Sequence, residues 1–188
     1  MRVSPVATEA LPPIYAQLAA APYRTAVAQI DFAPAMQFCD AKTTQAWFVA
    51  WSGNKRLKGA EFRILGRDRC GGTAVIWIRD GNAPLETQPI VHFGSDGEIT
   101  LLAKHAADYA WLLAHGVGPA EVAFAEDDEL ATYAMVRFAP FAAIATAASP
   151  RREPRQPVDI VADAKRAHPD AAAILRAQVW FHMAKGSG

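Results

Sequence analysis

Residues able to do acid–base, nucleophilic or metal chemistry are scattered in this chain. Its five histidines stand at positions 92, 105, 115, 168 and 182, with no H-x-H or H-E-x-x-H spacing to bring two imidazoles to one metal ion. Cys39 and Cys70 lack the C-x-x-C spacing of a metal or redox site and form no disulfide framework. The nearest thing to an acid/base group is His92 with Asp96 and Glu98, which a turn would bring together. A lone histidine beside a turn is far more often structural than catalytic. Gly94-Ser95-Asp96-Gly97 lacks the G-x-S-x-G pattern of a nucleophile elbow. Gly53 to Gly59, with Lys55, Arg56 and Lys58, lacks the spacing of a phosphate-binding loop. The expectation is a chain with no catalytic residue, no cofactor and no metal.

Charge points elsewhere. Lys plus Arg and Asp plus Glu each number 19, so the formal net charge is zero. No global field favours nucleic acid or a membrane surface, and any charged partner must meet a local patch. Glu126-Asp127-Asp128-Glu129 is such a patch. An acidic run is most often a solvated loop, but it is also what a protein needs to cover a basic surface. Together with Asp96 and Glu98, if folding brings the two segments to one rim, these six residues are the candidate protein-binding site. Arg151, Arg152 and Arg155 are interleaved with prolines and have no aromatic platform for stacking bases, so they read as a connector.

These residues must be carried by a chain of 188 residues that is 52% hydrophobic, enough for one core. Glycine-bounded apolar runs set the elements. Gly71-Gly72 opens Thr73 to Ile78, Pro89 opens Ile90 to Phe93, and Gly94 to Gly97 turns the chain into Glu98 to Ala103. These read as strands, preceded by Ala60 to Leu65 with Phe62 and Ile64 on one side. A short strand is expected within Ala26 to Phe32. Connections this short imply antiparallel neighbours.

Helices are expected from Ile14 to about Ala20 after Pro12-Pro13, from Ala41 to Ser52 between an Asp40 cap and a Gly53-Asn54 stop, and from the 105 region to Gly116. Trp47 and Trp51 should face the sheet. Trp47, Trp51, Trp77 and Trp111 are all read as core, with Trp111 the one to show an edge. Leu130 to Phe138 is compatible with a short helix or a strand, and its alternation leans to strand. Two further helices are expected over Val158 to His168 and Asp170 to Met183.

The strings Gly71-Gly72-Thr73-Ala74-Val75-Ile76-Trp77-Ile78, Pro89 to Glu98 and Asp108-Tyr109-Ala110-Trp111-Leu112-Leu113, with Trp51-Ser52-Gly53-Asn54 and Gly59 to Gly66 upstream, resemble the SUKH superfamily. The likeness covers residues 30 to 125, with a weaker echo at Ala164 to Pro169. Cys70 departs from it where a small polar residue or glycine is usual, and His105 where an asparagine-like cap is usual. Residues 123 to 148 have no clear counterpart.

The resemblance implies an α+β fold, a mainly antiparallel or mixed sheet with helices packed against it. The domain is expected over residues 1–148, a Pro/Arg-rich exposed connector over 149–157, and a C-terminal helical segment over 158–185, packed on the same domain. Bacterial SUKH proteins are mostly immunity proteins. The implied function is therefore non-catalytic binding of a cognate toxin domain, with a scaffolding module as the second reading and an enzyme using His92, Asp96 and Glu98 as the third. Association with a second copy stays open. The N-terminus lacks a basic start followed by an unbroken apolar stretch. The apolar run Phe138 to Ala148 contains Pro140 and is shorter than the roughly 20 residues a membrane span requires. Reduced cysteines and these features fit a cytoplasmic protein.

Overall fold

The computed structural model describes residues 10–26, 28–149 and 154–180. Five strands form one antiparallel meander in sequence order: β1 (Phe32–Pro34), β2 (Phe62–Asp68), β3 (Thr73–Trp77), β4 (Ile90–Phe93) and β5 (Ile99–Ala103). Around it lie α1 (Pro13–Ala20), α2 (Ala41–Ser52), α3 (Ala106–Ala114), α4 (Pro119–Phe124), α5 (Asp127–Ala131), α6 (Ala139–Ala148), α7 (Pro157–Ala167) and α8 (Ala171–Trp180). The protein is a single α+β domain.

Strand alternation produces two apolar layers. One holds Phe62, Ile64, Val75, Trp77, Val91, Phe93 and Leu101, covered by Phe48 of α2 and by Ala171 and Leu175 of α8. Leu65, Ala74, Ile76, Ile90 and Leu102 belong to the other, with Leu112 and Leu113 of α3. Both layers are closed, which is why β3 and β4 are buried at every position. Neighbouring Ile64 and Leu65 enter different layers by this alternation, and a bulge between Ile64 and Gly66 leaves Leu65 without a register partner on β3.

The helix signals act as expected in α2. Asp40 accepts a hydrogen bond from the Thr43 amide at 2.7 Å, and Gly53 ends the helix at φ 68°, a conformation that favours glycine. Trp47 and Trp51 reach the sheet: Trp51 lies edge-on to Phe93 at 4.7 Å and its indole N–H donates to the Gly94 carbonyl at 2.6 Å.

The α3 helix corrects one expectation, the exposed edge of Trp111. His105 does cap it, its Nδ1 accepting from the Asp108 amide at 3.2 Å, because the ring nitrogen reaches the third residue much as an asparagine oxygen would. Trp111 shows no edge and is buried. Alanine-rich α6, with Phe141 and Ala145 turned inward, packs closely on α3 and helps bury all nine of its residues.

Three further boundaries differ. The expected strand within Ala26 to Phe32 is instead an Arg24–Gln29 bridge followed by β1. Leu130 to Phe138 is not a strand: α5 ends at Ala131 and the chain runs irregularly to α6, anchored where the Arg137 and Phe138 amides both donate to the Ala114 carbonyl. The described end of the Pro/Arg segment is not an exposed connector. Arg155 donates twice to the buried Asp108 carboxylate, at 2.7 and 2.8 Å, and also to Asp163, and Pro157 is the buried first residue of α7. Residues 150–153 lie outside the described residues, as does the remainder of the expected last helix to Met183.

Candidate protein-binding face

None of the six acidic residues singled out in the sequence lines the cleft beside β5; Asp127 alone meets a lining side chain, that of Lys165. Asp96 and Glu98 occupy the β4–β5 turn, where the Asp96 amide donates to Glu98 Oε2 at 3.1 Å and the glutamate folds back over Gly94. Glu126 stands at the N-cap of α5, and Asp127, Asp128 and Glu129 form its first turn, where carboxylates meet the free amides of the helix start. Between the two segments lies a cavity of about 380 Å³. Its walls include Ile99, the residue after Glu98, and Ala125, the residue before Glu126.

Local sequence explains the gap. The α4 helix starts at Gly118-Pro119, with Glu121 Oε2 accepting from the Gly118 amide at 3.0 Å, and turns Val122 into the core. It presents Ala123 and Ala125 to the cavity, side chains too short to close the space over β5. The Pro169 break between α7 and α8 supplies the opposite wall, with Lys165 and His168 before it and Ala172 and Leu175 after it. Lys165 Nζ reaches across to Asp127 Oδ1 at 3.9 Å. Burial, and then the nearby Arg79 guanidinium, hold the His168 imidazole below its usual pKa.

Large apolar side chains are also exposed in the stretch of chain that carries the acidic run. Phe124 is 59% exposed, Met135 75% and Val136 41%; the only other large hydrophobic residue so exposed among the described residues is Met36. Thus one stretch, residues 124–136, combines uncovered apolar side chains with four carboxylates. Its apolar members were not recognised in the sequence as surface residues. Met135 and Val136 lie in the segment whose alternation leaned to strand, with a short helix as the other reading; the chain there is irregular and leaves both side chains exposed.

His92 belongs to a different arrangement from the one expected. It is buried on β4, and its Nε2 meets Asp68 Oδ2 of β2 at 2.6 Å, while Asp96 and Glu98 stay in the turn. Asp68 Oδ1 also accepts from the Gly72 amide at 2.8 Å, so the pair ties the β2–β3 turn to the neighbouring strand. Among the described residues, Nδ1 of His92 has no hydrogen-bond partner. A Cβ at Gly72 would fall on both the imidazole and the carboxylate, closer than real Cβ contacts come. Gly72→Ala is therefore expected to lower stability by roughly 1 to 3 kcal/mol, the range for overpacking a filled interior. Urea unfolding measures it, and an unchanged midpoint would mean that the turn relaxes without disturbing the pair.

Of the other histidines, His115 is buried beside backbone groups of Met135, Arg155 and Tyr133, and burial holds its imidazole below the usual pKa; His182 lies outside the described residues. Among the described residues, no three His, Cys, Asp or Glu side chains are grouped to hold a metal ion, and no helix is long and apolar enough to cross a membrane. Compared with protein-family models, curated proteins and solved structures, the chain matches none.

Proposed function

We propose that this chain is a non-catalytic protein-binding domain, an immunity protein of SUKH type that neutralises a cognate bacterial toxin in the cytoplasm by covering it. The observation that carries the reading is the 124–136 stretch, where Phe124, Met135 and Val136 are exposed beside Glu126 to Glu129. Aromatic and methionine side chains enrich the buried centres of protein interfaces, and carboxylates around them would steer a basic surface such as a nuclease's nucleic-acid cleft. The likeness of the glycine-bounded strands to the SUKH pattern supplies the class of partner, and the α+β fold is compatible with it.

The experiment is kinetic. A toxin domain encoded beside this gene is purified, and its association with the wild type and with an Asp127→Lys, Asp128→Lys double variant is followed at increasing salt. Rim charges act mainly on the association rate and are screened beyond about 8 Å at physiological salt. The wild type should associate more slowly as salt rises. The double variant should associate roughly tenfold or more slower at low salt, within the range that electrostatic steering covers, with an unchanged melting temperature. Equal rates at low salt would remove the acidic run from the interface. No binding of the toxin by the wild type would sink the proposed function.

A further inference from the structure

We infer that the cleft beside β5 is a binding site for a small monocarboxylic acid with an apolar body, its carboxylate held by Lys165. The inference does not depend on the protein-binding reading above. Most of the lining is apolar, with Val91 and Leu101 of the sheet, Val122 of α4 and Leu175 of α8 among its side chains. The volume of about 380 Å³ lies toward the small end of the roughly 300 to 1,000 Å³ typical of ligand pockets. That suits a short chain or one ring rather than an extended molecule.

The charge on the lining has one sign. Among the described residues, Lys165 and His168 are the titratable groups that line the cleft, and no carboxylate joins them. Burial, and then Arg79, keep the His168 imidazole below its usual pKa, so the Lys165 ammonium is the full charge an occupant meets. An apolar enclosure with one cation selects an apolar molecule with one anion: the body gains by leaving water, and the carboxylate accepts from the ammonium. An amine of the same shape would face a like charge instead. Thr100 adds a hydroxyl to the lining, able to donate to the second carboxylate oxygen.

Two carboxylates of the chain lie close without entering. Asp170, between lining residues Pro169 and Ala171, meets the Arg79 guanidinium at 3.5 Å. Asp127 meets Lys165 itself at 3.9 Å, but the two side chains are 78% and 59% exposed. An ion pair so open to water contributes little. A carboxylate inside the cleft, where less water screens the ammonium, takes Lys165 from Asp127.

The test titrates the full chain with octanoate, butanoate and octylamine at neutral pH and follows the amide NMR shifts of Thr100, Ala123 and Ala172, which line the cleft. Octanoate should move all three and bind about tenfold or more tighter than butanoate, because four more methylenes leave water. It should also bind about fivefold or more tighter than octylamine, whose body is alike and whose charge is opposite. Lys165→Gln should remove that preference, and Asp127→Asn, which frees the ammonium, should tighten octanoate binding. Both side chains are exposed, so neither variant should lower the melting temperature. Octanoate shifts confined to other residues, octylamine bound as tightly as octanoate, or an octanoate affinity unchanged by Lys165→Gln or lowered by Asp127→Asn would each overturn the inference.

Discussion

Replacing Phe93 by alanine is expected to lower the stability of this protein by roughly 3 to 5 kcal/mol, the range for removing a buried aromatic side chain. Phe93 is fully buried at the end of β4 and packs against four aromatic rings. Its ring is 4.7 Å from Trp51, 5.3 Å from Phe62, 5.6 Å from Trp47 and 5.9 Å from Phe48, in edge-on geometries that favour such pairs. Truncation would leave a void under α2 that surrounding rings cannot fill without leaving their rotamers. Urea unfolding with an unchanged slope measures the loss. A value below about 1 kcal/mol, typical of a surface change, would mean that α2 does not close this layer.

A loss of similar size is expected from Arg155→Ala. Asp108 is buried in the first turn of α3, its side chain 2% exposed, and the Arg155 guanidinium, 19% exposed, is its ionic partner. Arg155 also binds Asp163 of α7, which Arg166 contacts as well. Partial burial would raise the Asp163 carboxyl's pKa, but the two guanidinia prevail and hold it below the usual carboxylate range. Removing the arginine leaves a buried carboxylate uncompensated, which costs roughly 3 to 5 kcal/mol. A double variant, Arg155→Met with Asp108→Leu, removes both charges and should recover much of that loss. If Arg155→Ala unfolds at the wild-type urea concentration, or the double variant is no better than the single one, the ion pair does not hold α7 to α3.

That ion pair also marks where sequence reasoning ran out. Prolines and arginines between 149 and 157 have the composition of an exposed connector, and composition carries no sign that Asp108, 47 positions earlier, waits for Arg155. The local signals were stronger. Asp40 and Gly53 bound α2 as their side-chain and backbone preferences require, and Ile90–Phe93 is a strand at the positions its flanking Pro89 and Gly94 mark. Apolar alternation placed Phe62 and Ile64 on one side of the sheet, but the continuous apolar runs that hold Trp77 and Phe93 assign no face, and nothing local revealed that Leu112 and Leu113 cover the opposite side.

The candidate site was legible only in part for the same reason. Carboxylates at 126–129 are visible as a run, whereas the cleft beside them depends on short alanines in α4 and the Pro169 break meeting the edge of β5. His92 near Asp96 and Glu98 was a proximity along the chain. Its actual partner, Asp68, comes from strand pairing across β3, which no local spacing records.

The most direct test of the protein-binding account is hydrogen–deuterium exchange on the complex with the toxin domain. Slowed exchange is expected in residues 98–101 and 122–137, which carry Glu98, Phe124, the 126–129 carboxylates and Met135, with little change at α1 and at β1, the strand at the opposite edge of the sheet from β5. Protection confined to α1 and β1, with 122–137 exchanging as in the free protein, would contradict it.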